Sequence, residues 1–349
     1  ESLTEDVSQA RRLLDDLLAR PGIPRAEWKR IRNESLADEK ERWAQPAEVL
    51  DGFARAQALG KNHLGAAESH PSALGSYRFD EAKSLATGAF SRGDWMTLAA
   101  GGDWGEDEAL KILEDMAGAL PRRKTALGPD LTPRPSKKKV WILDHPGLDQ
   151  AFLAITGEGI RPGDPDRVAL RLARYALGEG DFSSRLMTKV RTQAGATYGI
   201  RLTLAEKIVP SPLMIATFTR VESLGTTLDL IRRTLDEVVQ DGFREEEAAS
   251  ARGHLHGNLP LRLSTPMAVI RAAYRGLRSG LTLQNLEDDA QALKETTLPA
   301  INAAVRRFLG KLDFRLALIG PAATLLPQVS SWRDAEVVPF SAPPSEWPD

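Results

Sequence analysis

Two changes of hydrophobic period mark the middle of this chain. Phe182, Leu186 and Val190 recur at i, i+4 and i+8 with Met187 beside them, the spacing of one apolar helix face. From Tyr198 the period falls to two: Tyr198, Ile200, Leu202 and Leu204 are expected on one face of a strand, and Thr197, Gly199, Arg201 and Thr203 on the other. Pro210 and Pro212 break that run, and Leu213 to Val221 reads as the returning strand of a hairpin. Upstream, Val140 to Leu143 and Ala151 to Thr156 read as strands, and Asp164-Pro165 opens a helix over 166–177.

The junctions carry their own signals. Gly178 and Gly180 are expected to supply backbone freedom through positive φ. Ser183 or Ser184 can cap the helix that follows, since a hydroxyl accepts from the orphan N–H groups of a first turn. Arg191 falls in the last turn, where a cation complements the helix dipole, and Gly195 suits the C-terminal turn just beyond it. Arg191 and Tyr198 thus flank one helix–strand junction. Taken alone, they also fit a helix-end arginine meeting solvent and a half-buried strand aromatic.

The pattern repeats weakly. Arg12 to Leu18, a turn, Ile23 and an acidic helix resemble Arg233 to Val239, a turn, Phe243 and another acidic helix, about 220 positions later. Strand Trp95 to Ala100 with a helix over 106–120 parallels strand Phe314 to Ile319. These copies predict a first domain over 1–120, a Pro- and Lys/Arg-rich linker over 121–139, a second domain over 140–337 and an irregular tail over 338–349. The second copy holds roughly 90 residues ahead of its helix pair and the first only Glu1 to Ala10, so the first domain is expected to lack its opening strands and first long helix. The fold class expected is α/β (α+β): two homologous domains, each a mixed, mostly antiparallel sheet packed on helices.

Composition narrows the function. The 349 residues are 42% apolar and 27% charged with a net charge of −2, which gives no bulk electrostatic case for nucleic acid or an anionic membrane. No apolar run approaches the roughly 18 residues of a membrane-spanning helix. There is no cysteine, so disulfides, thiolate ligands and cysteine catalysis are all out.

The stretch from Gly178 to Leu204 resembles the signature of the C-terminal domain of pitrilysin-type zinc metallopeptidases, the group of insulysin, the mitochondrial processing peptidase and two-subunit bacterial relatives. The resemblance lies in Gly180-Asp181-Phe182-Ser183-Ser184-Arg185-Leu186 and in Arg191-Thr192-Gln193-Ala194-Gly195-Ala196-Thr197-Tyr198. Asp144-His145-Pro146-Gly147 with Gln150 is similar to the opening of that domain, and Ile319-Gly320-Pro321 to its closing strand. Ala100-Gly101-Gly102-Asp103 is similar to the closing strand of the first domain. The resemblance implies that Arg191 and Tyr198 bind the substrate backbone or a carboxylate. It also implies that they stabilise the oxyanion formed at a zinc carried by another domain or subunit.

None of the five histidines gives the family's H-x-x-E-H helix motif. His254 and His256 stand at i, i+2, which points their rings to different helix faces. The third-ligand region aligns near Asn33 to Glu41, with Asp38 where catalytic members carry glutamate, though a solvated acidic face with pairs such as Arg30–Glu34 accounts for it as well. The expectation is therefore a non-catalytic subunit that binds no metal itself. It would pair as a heterodimer with a homologous zinc-bearing subunit around a chamber for peptides or unfolded segments. Two alternatives stand beside it: a self-sufficient homodimeric zinc peptidase whose H-x-x-E-H half lies elsewhere in the protein, and a purely structural homologue. The family resemblance points to the periplasm, with the cytoplasm left open.

Overall fold

The structure, a computed structural model, describes residues 4–19, 22–89, 98–120, 130–180, 183–193, 195, 197–332 and 335–348. In chain order its elements are α1 (Val7–Ala19), α2 (Arg25–Trp43), α3 (Pro46–Leu59), α4 (Pro71–Ser76), α5 (Phe79–Ala89) and α6 (Glu106–Ala119). Then come β1 (Val140–Asp144), β2 (Gln150–Gly157), α7 (Arg167–Arg174), β3 (Ile200–Thr203), β4 (Leu213–Arg220), α8 (Leu224–Gln240) and α9 (Glu245–Gly257). The chain closes with α10 (Leu259–Arg262), α11 (Pro266–Arg278), α12 (Leu283–Glu295), α13 (Leu298–Leu309), β5 (Arg315–Gly320), α14 (Ala322–Leu325) and β6 (Ala335–Pro339).

The chain divides into two compact units. One comprises 1–41, 69–129 and 260–283; the other comprises 42–68, 130–259 and 284–349. Among its described residues the first unit is helical. The helix pair α1 and α2 appears where the repeat places it, and Trp28 of α2 packs on Phe79 of α5 with ring centroids 6.4 Å apart. Most of the strand expected over 95–100 and of the linker over 121–129 lies outside the described residues.

The second unit is built on one mixed six-stranded sheet in the order β3-β4-β2-β5-β1-β6. β3–β4, β4–β2 and β2–β5 pair antiparallel, and β5–β1 and β1–β6 parallel. Val140 to Leu143 are all fully buried because β1 is covered on both faces, the situation in which a strand reads as a continuous apolar run. On one face, Val140, Ile142, Leu153, Ile155, Leu316 and Leu318 form a core with α7, α8, α9 and α13. α8 contributes Leu228, Ile231, Leu235 and Val238, one residue per turn.

The opposite face holds Trp141, Leu143, Ala317 and Ile319, covered by α3 through Val49, Leu50 and Phe53. Residues 42–68 therefore group with this sheet, although the sequence boundaries place them in the first domain. Burying Phe53 completely is worth about 1.5–3 kcal/mol, which holds the helix here. The tail over 338–349, expected to be irregular, is packed against the sheet-bearing unit. β6 runs through Pro339, and Trp347, 2% exposed, packs against Phe53 at 5.1 Å and Trp43 at 6.1 Å while its Nε1 donates to the Ala342 carbonyl. A large aromatic anchors the segment that prolines alone make look loose.

Candidate functional site

The glycine turn forms where α7 widens. Tyr175–Glu179 continue the helix as one π turn, closed by Gly180 N–H donating to the Tyr175 carbonyl at 2.9 Å. Neither Gly178 nor Gly180 takes a positive φ; Gly180 has φ −77°. Their need for glycine is steric. A Cβ on Gly178 would lie 2.6 Å from the Leu202 Cβ, and one on Gly180 2.9 Å from the Tyr175 carbonyl oxygen. The expected backbone-freedom argument is thus replaced by close approach, of Gly178 to β3 and of Gly180 to Tyr175. Ser183 Oγ donates back to the Gly180 carbonyl at 2.7 Å, so it tightens the turn instead of capping the helix ahead.

That helix also widens, with Met187–Gln193 π-helical. Leu186 and Val190 keep the buried face that the sequence spacing predicts, both 0% exposed, whereas Phe182 and Asp181 lie outside the described residues. Arg191 sits half-buried in the last turn. Its carbonyl accepts from Gly195 N–H at 2.9 Å, and Gly195 takes φ +61°, the left-handed conformation of a helix-ending turn.

β3 buries Ile200 and Leu202 and exposes Arg201 and Thr203, and Leu204 just beyond it is buried too, as the alternation predicts. Tyr198 departs from that face. It is 79% exposed and stacks on Phe218, centroids 6.3 Å apart and planes 24° apart. Thr197 explains the departure. Its Oγ1 accepts from Gly199 N–H at 3.2 Å and pairs with Thr217 Oγ1 at 2.7 Å, so a local side-chain turn replaces strand geometry just before β3. Tyr198 therefore stands in solvent at the head of an edge strand, seven positions after Arg191.

Two arginine systems hold this region, and neither stood out in the sequence. Arg185, within the family-like motif but given no role by it, donates through Nε to Glu247 Oε1 at 2.8 Å and through Nη1 to the Gly242 carbonyl at 3.0 Å, with its guanidinium 4.9 Å from the Phe243 ring centre. Glu247 also accepts from Arg244 N–H at 2.8 Å. Burial pushes the Glu247 carboxyl up, but the Arg185 bond, the Arg244 N–H and both positive charges outweigh it, leaving the group below its ordinary value. On α7, Arg171 pairs with Glu206 and, at 2.8 Å, with the buried Asp289, which Arg167 also reaches; Arg174 Nη1 donates to the Leu204 carbonyl at 2.6 Å. Together they tie the exit of β3 to α7 and α12.

The histidines do not fit a zinc ion. His63 is buried with Nδ1 accepting from Gly65 N–H and Nε2 3.1 Å from the Leu131 carbonyl. His70 Nδ1 accepts from Ser72 N–H at the start of α4, and His145 packs on Phe340 at 4.7 Å. His254 stacks on Tyr175 at 4.5 Å and bonds Asn258, while His256 is exposed one residue past Leu255. Among the described residues no three His, Asp or Glu side chains converge as ligands. Asp38 is exposed on α2, its neighbour Glu39 is buried, and Arg30 Nη1 bonds Glu34 at 2.7 Å on the solvated face.

This fold and this turn define a class. Residues 89–255 match the family model described as the Peptidase M16 inactive domain. The match covers just under half of the chain and agrees with the pitrilysin-type resemblance of its motifs. It is similar to the non-peptidase homolog YmxG of Helicobacter pylori, 24% identical over 225 residues that make up 64% of this chain and 51% of the relative. It is also similar to the uncharacterized zinc protease MT2852 of Mycobacterium tuberculosis, 25% identical over 233 residues, 65% of this chain and 52% of that one. The chain thus spans about half the length of these curated relatives. Among solved structures, a peptidase M16 inactive domain from Pseudomonas fluorescens shares the fold with a TM-score of 0.75 at 24% identity, covering 92% of this chain and 76% of that one.

Proposed function

We propose that this chain is the non-catalytic, substrate-binding subunit of a two-chain zinc peptidase. In it, Arg191 and Tyr198 bind the peptide backbone or a carboxylate and donate to the oxyanion of the tetrahedral intermediate, and the zinc belongs to a homologous partner subunit. The observation that carries this reading is the placement of Tyr198. It is 79% exposed at the head of edge strand β3, while Ile200, Leu202 and Leu204, of the same parity, are buried. A core tyrosine would have stayed on their face. A phenol fixed by stacking on Phe218 and offered to solvent suits a donor awaiting a ligand, and the preceding arginine supplies the planar fork that carbonyl and carboxylate oxygens accept from.

The test is cleavage of a quenched fluorescent peptide after mixing the chain with its zinc-bearing homologue. Arg191→Ala and Tyr198→Phe are each expected to lower kcat, on the order of 10²–10³-fold if a preorganised oxyanion donor is lost, with the complex still forming. Full activity in both variants refutes the assignment. A second reading, a structural homologue without chemistry, draws support from the name of the Helicobacter relative; a stable complex that cleaves nothing under any pairing would favour it. A third, a self-sufficient zinc peptidase, draws support from the zinc protease names of the mycobacterial relatives, about twice the span matched here. An H-x-x-E-H motif elsewhere in the same polypeptide would favour that one. A periplasmic assembly is the reading that the family resemblance favours, and fractionation of the source cells tests it.

A further inference from the structure

α3 covers only part of the sheet. It packs over β1, β5 and β2 as far as Met214 of β4, and leaves the same face of β4 beyond Met214, and of β3, less covered. The uncovered part is a cavity of about 970 Å³. Its shape follows from register. Ala154 of β2 pairs with Ala216 of β4, which pairs with Arg201 of β3. Two residues along, Phe152 pairs with Phe218, their rings 5.7 Å apart; two residues the other way stands Met214. Side chains two apart on a strand are about 7 Å apart on the same face. The two alanines therefore form the floor of a trough, the phenylalanines one bank and Met214 the other.

The ends of the trough are charged and opposite. Arg201, exposed on β3, and the Glu48 carboxylate, exposed on α3, both line the cavity, and neither side chain has an ion-pair partner among the described residues. The other charges lining it are already engaged: Asp51 with Arg55, and Arg174 with Glu179. Apolar banks take an apolar side chain. A free guanidinium at one end and a free carboxylate at the other select for opposite charges on either side of it.

We propose that this trough is a specificity subsite for an extended peptide, seating one aromatic or large aliphatic side chain between Phe152/Phe218 and Met214, with an acidic residue toward Arg201 and a basic one toward Glu48. The proposal rests on the peptide-binding reading above but uses neither Arg191 nor Tyr198. It fixes which charged residue of the segment faces β3, because the opposite placement puts like charges together at both ends.

The test is fluorescence-anisotropy titration of this chain, without any partner, using labelled peptides with an Asp-Phe-Lys centre, a Lys-Phe-Lys centre and an Asp-Ala-Lys centre. The first is expected to bind about tenfold tighter than either of the others. Arg201→Glu, a change on an exposed strand position, is expected to erase or reverse the preference for the Asp-Phe-Lys over the Lys-Phe-Lys centre. Ala216→Phe is expected to abolish binding by filling the floor, with circular dichroism of both variants confirming the fold. Equal affinity for all three peptides, or an Arg201→Glu chain with unchanged preference, overturns the subsite. Because the readout is binding to the lone chain, it can fail while the cleavage assay with Arg191 and Tyr198 variants succeeds, and the reverse.

Discussion

Gly178→Ala tests the idea that the glycine turn exists for close approach. The added Cβ would lie 2.6 Å from the Leu202 Cβ, 3.3 Å from Leu186 Cδ1 and 3.3 Å from Leu202 N. Carbon atoms pack at about 3.5–4.0 Å, so roughly 1 Å of separation must open between the turn and β3. Neither neighbour yields easily. The Leu202 Cβ is fixed by the pairing of Leu202 with Ile215 of β4, and Leu186 is 0% exposed. Overpacking of this kind costs about 1–3 kcal/mol, against a gain of about 0.5–1 kcal/mol for replacing a helical glycine by alanine. The net expectation is a loss of about 1–2 kcal/mol. At a urea slope of roughly 3 kcal/mol/M, that lowers the midpoint of the transition by about 0.3–0.7 M. Gly147→Ala is the matched control, because its Cβ would meet nothing within 4 Å and its φ is not positive. Displacing β3 also moves the strand that carries Tyr198, so cleavage in the paired assay should fall alongside stability. A Gly178→Ala midpoint equal to or above that of Gly147→Ala refutes the steric account and returns the turn to a matter of backbone conformation.

Two further outcomes follow from a part-buried carboxylate and a buried tryptophan. Glu247 is held below its ordinary pKa in the folded state, so the native protein binds fewer protons there than the unfolded chain does. Its contribution is present above the unfolded value of about 4.5 and is lost as pH falls through the lower folded value; Glu247→Gln should flatten the acid limb of a stability-against-pH curve below about pH 5, and an unchanged limb counts against the Arg185–Glu247 anchor. Trp347→Ala removes a 2%-exposed side chain from between Phe53 and Trp43 and is expected to cost about 3–5 kcal/mol, read by thermal unfolding of the sheet-bearing unit. A loss under about 1 kcal/mol would mean that the C-terminal segment does not secure α3.

Local pattern alone determined most of the elements of the sheet-bearing unit. β1, β2, β4 and β5 were legible because each is a short apolar run bounded by turn residues, and the helix pair α8 and α9 through the weak repeat of the earlier pair. Leu186, Val190 and the Ile200–Leu202–Leu204 row were legible for the same reason, as was the left-handed turn at Gly195. The resemblance of the motif to a peptidase family was also present in the residues themselves. Tertiary structure decided the rest. Thr217, on another strand and 20 positions away, takes part in the bond that turns Tyr198 out of its row, and no local period registers such a partner. The distance from Gly178 to Leu202 exists only once β3 is laid against the turn. α3 shows an apolar stripe in the sequence, but a stripe states only that something must cover it. That the sheet beyond the linker does so, locked by Trp347 from the far end of the chain, depends on which surfaces meet, and periodicity does not encode that.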